Sequence, residues 1–371
     1  MTMKVTIREV AESAKVSLGT ASRVLNGDPT VNPEHFKRVS EAAKRLNYQR
    51  LRSRRRQRGR ERLEGRSIGL VMLGMDRSLV SLPVIAEAVH AAEAALSKRS
   101  ATTVFIDVPD LNQPPPSLSL TQLDGVLLKG ALQGDGIARC THPAVRRLFT
   151  IPHIWLLGRP DGCEGDGVGS NDFRIGQMAA DYLLAKSHKC VAVVNPKSDH
   201  VTFANRQVAF EARIRRAGGQ VVQVGGGAPQ QWSLPLKPAT DIQTVLESVD
   251  QALAADPRPT ALFCPADSIA AAVYRALAIR GKTVGEDMSV ISVNNEQSLI
   301  NILHPQLTTI DINAAQMGAR AVERLAWRMN NALSPEMIEI VLDPTLVEGA
   351  SVVDLNSAPH TSPVQRKRGD S

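Results

Sequence analysis

The residues whose types and spacing point to a chemistry lie in the stretch from Thr6 to Asn26. If Ser17 begins a helix there, small side chains and one guanidinium share its outer face. That face would consist of Leu18, Gly19, Ser22 and Arg23. Arginine on an exposed helix face commonly hydrogen-bonds guanine in the major groove of DNA. The pattern therefore predicts nucleic-acid recognition, with Arg23 as the best candidate for a direct hydrogen bond to a base.

Two short helices joined by a tight turn must position this face. Thr6 can cap the first helix, and Glu9 stands three residues later, where a capping box requires a carboxylate. Ser17 can cap the second helix. The apolar inner faces would be formed by Ile7, Val10, Ala11 and Ala14, and by Ala21, Val24 and Leu25. This spacing is typical of a helix-turn-helix, whose second helix enters the major groove, although the turn alone also fits an ordinary helical hairpin.

A third helix is predicted after residue 32. Asn32 is a suitable N-cap, and Pro33 suits the first helical position. The inner face of this helix would be formed by Phe36, Val39, Ala43 and Leu46. Three short helices within residues 1–49 favour a DNA-binding head over a simple hairpin.

These residues resemble the beginning of the LacI family of bacterial regulators. Members typically begin with a pattern such as TIxDVAxxAGVSxxTVSRVLNG and end the head with LxY, where this chain has TIREVAESAKVSLGTASRVLNG and LNY. The resemblance implies a homodimer that binds pseudo-palindromic double-stranded operator DNA, with Leu18 and Gly19 at base edges. The residues expected to hold phosphates and fix the register are Ser17, Thr20, Ser22, Asn26, Thr30 and His35, and Thr6 is a further expected DNA contact.

The positive charge of the chain is concentrated at this end. The formal net charge is +7, and residues 1–49 hold eight basic and five acidic side chains. Residues 50–66 hold nine arginines and two glutamates, whereas the remaining 305 residues hold 27 basic and 30 acidic groups. We therefore expect a polyanionic partner for the N-terminal end, bound with salt-sensitive affinity.

An arginine-rich joint at residues 50–66 follows the head. In relatives this joint is a short hinge helix, often with the pattern PNxxARxL, which inserts a leucine into the minor groove; that pattern is absent here. Unpaired arginines repel one another, whereas phosphates or a narrow minor groove would neutralise them. The joint therefore fits either a hinge that orders on DNA or a solvated linker that adds nonspecific affinity. Its expected DNA contacts are Arg54, Arg55 and Arg56.

Residues 67–355 alternate between strands and helices. The first predicted set has strands at 68–73, 103–108, 123–128 and 153–157 and a helix at 84–96. The second set has helices at 176–185, 205–217, 241–254 and 268–280 and strands at 191–194, 220–224, 261–264 and 288–293. Such alternation predicts doubly wound parallel sheets in two lobes, with a cleft between them.

The body resembles the periplasmic-binding-protein-like ligand domain of the same family. Stretches such as IGLVML, LDGVLL, PTALFCPADSIAAAVYRAL and EDMSVISVNN carry the likeness. The resemblance implies a small-molecule effector, sugar-like or nucleobase-like, in the cleft, and a crossing back between the lobes near residues 307–310. The predicted fold class is an N-terminal all-α helix-turn-helix head plus an α/β two-lobe periplasmic-binding-protein-like domain.

The residues that fall where relatives place effector contacts are Asn171, Asp172, Arg206, Asp267 and Asn294. Arg206 offers a planar fork suited to hydroxyls or a carboxylate, but it also fits a salt bridge on a lobe face. Asp267 also fits a cap for a helix that begins at Ser268. Ala266 and Asn294 stand where many relatives carry Asn and Asp, so strong acceptors for sugar hydroxyls are lost. The ligand would then be something other than a common sugar, or the pocket would bind none.

Other function classes find little support. No run of 18 apolar residues predicts a membrane span, and no apolar leader predicts secretion, so we expect a cytoplasmic protein. The four cysteines are widely spaced, as expected of buried free thiols in a reducing compartment. No catalytic, metal-binding or cofactor-binding arrangement is predicted, and Gly165, Gly167 and Gly169 are expected to form a flexible connection. The polar tail at 356–371 is predicted to be disordered.

The sequence therefore predicts a DNA-binding transcriptional regulator, a repressor, whose operator affinity is modulated by an effector bound between two lobes. Two alternatives stay open at this point. One is a DNA-binding regulator with a degenerate pocket that works without an effector. The other is a solute-binding protein of similar body fold.

Overall fold

In the computed structural model the described residues are 5–25, 31–46, 63–198, 200–225, 233–237, 242–332 and 334–356. The chain divides into two compact units, Met1–Arg60 and Glu61–Ser371. The expected DNA contacts that lie outside the described residues are Asn26, Thr30, Arg54, Arg55 and Arg56. The tail from residue 357 onward also lies outside them. The predicted domains at 1–49, 50–66, 67–355 and 356–371 stay predictions.

Three helices form the head: α1 (Ile7–Ser13), α2 (Leu18–Leu25) and α3 (Pro33–Arg45). The capping box is confirmed, because the Glu9 amide donates to Thr6 Oγ1 at 3.4 Å and the Thr6 amide donates to Glu9 Oε2 at 2.5 Å. Ser17 Oγ accepts from the Thr20 amide at 3.1 Å, and Asn32 caps α3 in the same way. Side-chain caps therefore start all three helices where the sequence places them.

A small apolar core holds the head together. Its buried residues are Val10, Ala11, Ala14, Ala21, Val24, Val39 and Ala42. The prediction that Phe36 faces this core is wrong, since Phe36 is 46% exposed. At about 100° per residue, Phe36 and Ala42 lie about 120° apart around α3. The narrow buried stripe of α3 therefore includes Ala42 and leaves Phe36 outside.

The second unit alternates strands and helices. Its strands are β1 (Ser67–Leu73), β2 (Thr102–Val108), β3 (Gly125–Gly130), β4 (His153–Leu156), β5 (Asp166–Ser170), β6 (Cys190–Val193), β7 (Gln220–Val222), β8 (Ala261–Phe263), β9 (Ser289–Val293), β10 (Thr308–Asp311), β11 (Glu339–Leu342) and β12 (Thr345–Val347). Its helices are α4 (Arg77–Val80), α5 (Pro83–Ser97), α6 (Pro116–Leu120), α7 (Pro143–Leu148), α8 (Asp172–Ala185), α9 (Val201–Arg216), α10 (Ile242–Ala254), α11 (Asp267–Ile279), α12 (Gln297–Ile300) and α13 (Ala314–Asn330). The predicted elements are present with modest shifts of their ends.

Two sheets of six strands form two lobes. In lobe 1 the strand order is β11-β5-β4-β3-β1-β2, and neighbouring strands are parallel. In lobe 2 the order is β12-β10-β9-β8-β6-β7, and the pair β10–β12 is antiparallel while the others are parallel. The predicted pair of doubly wound sheets is thus confirmed. Within the described ranges, no helix is long and apolar enough to cross a lipid bilayer.

The chain passes between the lobes three times: from β5 to α8, from β10 to α13, and from β11 to β12. As a result α8 packs on α9 of lobe 2, and α13 packs on α5 of lobe 1. A glycine lies at each contact, because a Cβ on Gly176 would overlap the carbonyl oxygen of Arg206 and a Cβ on Gly318 that of Ala88. Residues 307–310 lead into or lie in β10, so the crossing expected there instead follows Asp311.

The flexible connection predicted at Gly165, Gly167 and Gly169 is wrong. Strand β5 begins at Asp166 and pairs with β4 on one side and with the edge strand β11 on the other. Gly167 pairs with Glu339 of β11, and a Cβ on Gly167 would overlap the Glu339 carboxylate. Glycine here makes room for a neighbouring side chain. The strand escaped the sequence analysis because Val168 is its one β-branched residue and two of its five residues are glycine, which is depleted in strands.

Asp166 carries a buried negative charge that joins three parts of lobe 1. Its carboxylate accepts from Arg324 Nε at 2.6 Å, from Arg328 Nη2 at 2.7 Å and from the Ile338 amide at 2.8 Å. Burial raises the pKa of Asp166, but the hydrogen bonds from the two arginines and the amide outweigh it, so this pKa lies below its usual value. One carboxylate therefore holds β5, α13 and the segment before β11 together.

We expect Asp166→Asn to lower the free energy of unfolding by about 3–5 kcal/mol, because it leaves buried arginines without their counter-charge. The matched control is Asp135→Asn, which removes an exposed pair with Arg139 at 2.5 Å and should cost less than about 1 kcal/mol. Urea unfolding followed by circular dichroism at neutral pH measures both. Equal losses in the two variants would contradict the role of Asp166.

Candidate DNA-reading helix and effector cavity

The outer face of α2 is exposed, as the sequence predicts. Leu18 is 47% exposed, and Gly19 and Arg23 are exposed beside it. Among the described residues, the Arg23 guanidinium has no hydrogen-bond or ion-pair partner. An apolar side chain, a bare backbone and an available guanidinium therefore lie on one face of α2.

The residues expected to hold phosphates differ in their burial and in the hydrogen bonds that their side chains form within the head. Ser17 Oγ and Thr20 Oγ1 share a hydrogen bond at 2.9 Å, and the hydroxyl of Thr6, the further expected DNA contact, is held in its capping box. Ser22 lies half-buried on α2, and His35 is half-buried in the first turn of α3. The structure thus brings Ser17 and Thr20 together at the start of α2, and their contact with phosphate stays a prediction.

Two arginines of α3, which the sequence analysis missed, hold the turn between α1 and α2. Arg38 Nη2 donates to the carbonyl oxygens of Ala14 at 2.6 Å and Lys15 at 3.0 Å. Arg45 Nη2 donates to Ser13 Oγ at 2.5 Å. Their spacing of seven residues, two helical turns, places both on one face of α3 and is the signal that could have found them.

A cavity of about 170 Å³ lies between the two lobes. Lobe 1 lines it mainly with apolar side chains, among them Leu79, Leu82, Val84, Ile85, Leu132 and Leu157. Lobe 2 lines it with polar side chains and an aromatic ring, among them His200, Phe203, Arg206, Asn294 and Glu296. The predicted cleft is therefore present, and Arg206 and Asn294 of the expected effector contacts lie on its wall.

Arg206 lies at the meeting point of four elements and is 2% exposed. Its Nε donates to Asp172 Oδ1 at 3.0 Å, and its Nη1 donates to the Pro265 carbonyl at 2.7 Å and to Asn294 Oδ1 at 3.2 Å. Asp172 also accepts from Ser170 Oγ at 2.9 Å. Arg206 therefore forms a salt bridge within the body and also lines the cavity, and its contact with an effector stays a prediction.

Asp267 is fully buried and does not line the cavity. Its Oδ1 accepts from the hydroxyls of Ser292 and Thr309, and its Oδ2 accepts from the Glu296 amide at 2.7 Å. Burial raises the pKa of Asp267, although these hydrogen bonds oppose the shift. The interpretation of Asp267 as a helix cap is wrong, because α11 begins at Asp267 itself.

Asn171 does not line the cavity either. Its Oδ1 accepts a hydrogen bond from the Arg174 amide of α8 at 3.1 Å.

Glu296, which the sequence analysis missed, brings a carboxyl group to the cavity. Its Oε1 accepts from Asn294 Nδ2 at 3.1 Å, while its Oε2 is buried with no hydrogen-bond partner among the described residues. Burial, followed by the charge of Asp267, raises the pKa of Glu296 to about 7. The available signal was its position just after β9, at the carboxyl edge of a parallel sheet, where ligand sites form.

Lys129 and His200 also line the cavity and were missed. Lys129 is the penultimate residue of β3, is 7% exposed, and donates from Nζ to the Gly130 carbonyl at 2.8 Å. Burial lowers its pKa to about 8. The His200 ring stacks 4.2 Å from the ring of Phe203, and its Nδ1 is buried without a partner among the described residues. Burial, followed by the charges of Lys129 and Arg206, lowers the pKa of His200 to about 3, so the imidazole is neutral.

A strap from lobe 2, residues 233–237, reaches lobe 1 beside the cavity. The Leu236 amide donates to the Gly74 carbonyl at 2.8 Å, and the Asp76 amide donates to the Leu236 carbonyl at 2.8 Å. Leu236 is buried in the apolar core of lobe 1, together with Met75. The strap thus ties the lobes by main-chain hydrogen bonds, and its Leu236 and Lys237 line the cavity.

Comparison with known proteins identifies both units. A family model for bacterial regulatory proteins of the lacI family matches residues 6–50, and a model for a periplasmic binding protein-like domain matches residues 180–352. The chain belongs to the LacI family. The predicted helix-turn-helix head, periplasmic-binding-protein-like body and DNA-binding regulator are thereby confirmed.

LacI-family relatives match nearly the whole chain. The HTH-type transcriptional repressor PurR of Pasteurella multocida is 27% identical over 94% of this chain and 98% of its own length. The ribose operon repressor of Escherichia coli K12 is 25% identical over 93% of this chain and 99% of its own length.

Two solved structures share the fold. A CelR–cellobiose complex has a TM-score of 0.63 and 21% identity, covering 94% of this chain and 100% of its own. The lac repressor dimer bound to operator has a TM-score of 0.60 and 20% identity, covering 95% and 100%.

This LacI-family chain departs from the family pattern at Lys15, where the pattern has glycine. Lys15 has a φ of 50°, the left-handed conformation that favours glycine. The hydrogen bond from Arg38 to the Lys15 carbonyl holds the residue in that conformation. The turn of the motif therefore keeps its shape through a contact from α3.

Gly19 provides a test of close approach to DNA. A Cβ added to Gly19 would have only Ser17 Oγ within 4 Å, at 3.8 Å, and glycine inside a helix costs up to about 1 kcal/mol relative to alanine. We expect Gly19→Ala to stabilise the head slightly and to weaken operator binding, because the methyl group would occupy space next to a base edge. Thermal unfolding and operator titration measure the two effects. Increased stability with unchanged operator affinity would contradict close approach at Gly19.

The buried ammonium of Lys129 predicts a pH dependence of stability. Its folded-state pKa of about 8 lies below the usual 10.5, so between these values the unfolded chain binds the extra proton and stability rises with pH. Lys129→Met should therefore be more stable than the wild type at pH 7, by on the order of 2–3 kcal/mol. This advantage should shrink as pH rises through 8 to 10.5. Urea unfolding of both proteins in a pH series measures it, and a constant difference would contradict the assignment.

Proposed function

We propose that this chain is a cytoplasmic repressor that binds a pseudo-palindromic operator as a homodimer and changes its operator affinity when a small effector binds between its lobes. The observation that carries the proposal is the exposed face of α2 on a fully capped three-helix head. Leu18, Gly19 and Arg23 lie together on that face. The lac repressor structure with a similar fold is itself a dimer bound to operator.

The cavity supports control by an effector. Its lining comes from both lobes, so a ligand there would favour one arrangement of the lobes over another. A ligand with different affinities for two arrangements shifts their populations, and it shifts operator affinity if the arrangements bind DNA differently. A LacI-family structure from Enterococcus faecium holds ribose, and the CelR structure holds cellobiose. Sugar-like and nucleobase-like compounds are therefore the first effectors to test.

A regulator without an effector is the second candidate. It is favoured by the internal satisfaction of the residues expected to bind a ligand, since Arg206 is held by Asp172 and Asn294, and both oxygens of Asp267 are engaged. Against it stand two buried polar atoms without partners among the described residues, His200 Nδ1 and Glu296 Oε2, which belong to residues that line the cavity. Unpartnered buried polar groups are costly, and a ligand would give them partners. The head makes a solute-binding protein the weakest alternative.

The function is tested by titrating the full chain onto its own upstream DNA and onto scrambled DNA, over a salt series and with a library of sugars and nucleobases. Preference for the upstream DNA that one compound alters supports an effector-controlled repressor. Preference that no compound alters supports the regulator without an effector. Equal affinity for both DNAs would contradict the proposal.

Arg23→Ala should reduce affinity for the cognate site by about 1–3 kcal/mol and relax specificity there, because it removes a hydrogen bond to a base. Arg8→Ala is the matched control, since it removes the same charge from an exposed position on α1. That control should weaken binding to cognate and scrambled DNA alike. For each variant, fluorescence anisotropy at fixed salt measures the ratio of the affinity for cognate DNA to the affinity for scrambled DNA. An unchanged ratio in Arg23→Ala would contradict the assignment of Arg23.

A further inference from the structure

We propose that the cavity selects a small organic anion, with its charged group at Lys129 and His200 and its hydrocarbon part against the apolar wall of lobe 1. The proposal rests on the proposed function, since it names the chemical class of the effector.

The first observation is the isolation of the Lys129 ammonium. Lys129 is 7% exposed, lines the cavity, and has the carbonyl of Gly130 as a hydrogen-bond acceptor at 2.8 Å. No carboxylate of the described residues forms an ion pair with it. Burying an ammonium without a counter-charge is costly, and proteins usually pair such groups. An anion in the cavity would supply the missing charge and accept the remaining N–H groups.

The second observation is that His200 has an unpartnered ring nitrogen and several positive charges near it. Its Nδ1 is buried with no partner among the described residues. The positive charges of Lys129, Arg206 and Lys197 all act on its ring and oppose its protonation. Several cations therefore lie near one unpartnered imidazole nitrogen. A neutral imidazole can place its proton on either nitrogen, so Nδ1–H can donate to an anion that these cations attract.

The acidic groups near the cavity are compensated elsewhere. Asp172 is bound by Arg206 at 3.0 Å, and Asp267 accepts three hydrogen bonds from the protein. Glu296 has a pKa raised to about 7, so a substantial fraction of its carboxyl is neutral and able to donate a hydrogen bond. None of the three carboxylates neutralises Lys129, and the cavity keeps a net attraction for negative charge.

The third observation is the apolar wall of lobe 1. The side chains of Leu79, Leu82, Val84, Ile85 and Leu132 line the cavity and offer no hydrogen-bonding groups. The hydroxyls of a sugar would lose their hydrogen bonds to water on this side without replacement, which is unfavourable. A hydrocarbon chain or an aromatic ring gains there by burial of apolar surface. The two sides of the cavity together fit an organic acid with an apolar body.

The test measures binding of matched acids and amides to the full chain by isothermal titration calorimetry at pH 7. The probes are benzoate with benzamide, hexanoate with hexanamide, inorganic phosphate alone, and ribose. We expect at least one acid to bind ten-fold or more tightly than its amide, and more tightly than phosphate or ribose. The preference should disappear in Lys129→Met and persist in Lys98→Met, which removes an exposed lysine of the same lobe.

Each contrary result overturns a stated part of the proposal. Equal binding of acids and amides, or no binding of the acids, overturns the anionic class. Phosphate that binds as tightly as the acids overturns the role of the apolar wall. A preference that survives Lys129→Met, with that variant shown to be folded by circular dichroism, overturns the role of Lys129. The DNA titration remains separate, because sequence-specific operator binding without acid binding would reject this proposal and leave the regulator intact.

Discussion

The three passages of the chain between the lobes are the constraint on which the second unit depends. Ser170 Oγ donates to Asp172 Oδ1 at the first passage, and Asn313 Nδ2 donates to the Asp343 carbonyl at 2.8 Å, which joins the second passage to the third. Two bodies joined by three short connections can rotate but cannot separate, as in hinge closure. Because the cavity lies between these bodies, any ligand in it contacts both and bears directly on their arrangement. The strap at 233–237 adds main-chain hydrogen bonds to the same boundary.

Buried charges in this body fall into two groups with different physical consequences. Asp166 and Asp267 are fully engaged by protein donors and hold elements of the fold in place. Lys129 and Glu296 are buried on the cavity wall without equivalent partners, and burial lowers the pKa of Lys129 and raises that of Glu296, as it also raises that of Asp267. Protein donors offset much of the cost of burying the first group, whereas the desolvated charges of the second group remain a cost that a ligand can remove. The second group therefore indicates the ligand better than the first.

The sequence was sufficient for features set by local chemistry. The caps at Thr6 and Ser17 and the alternation of strands and helices follow from short-range spacing, and the structure contains them. It was insufficient where a distant element decides the outcome. Gly167 lies in strand β5, where the Glu339 carboxylate of β11 occupies the space that a side chain at residue 167 would need. Lys129 follows the apolar residues of β3 in the sequence, and it lines a cavity because lobe 2 forms the opposite wall. Asp267 follows a strand as an effector contact would, yet donors from β9, β10 and the loop after β9 surround it.

In DNA binding, we expect specificity and sequence-independent affinity to come from different segments, the outer face of α2 and the joint at residues 50–66. Its reading face offers few groups to base edges, chiefly the side chain of Leu18, the backbone of Gly19 and the guanidinium of Arg23, and a good bidentate contact discriminates by about 1–3 kcal/mol. The joint at residues 50–66, with its nine arginines, would add a phosphate-directed term that does not depend on base sequence. This phosphate-directed affinity weakens steeply as the salt concentration rises, whereas hydrogen bonds to base edges depend much less on salt. Higher salt should then remove affinity faster than discrimination, because the two reside in different segments of the chain.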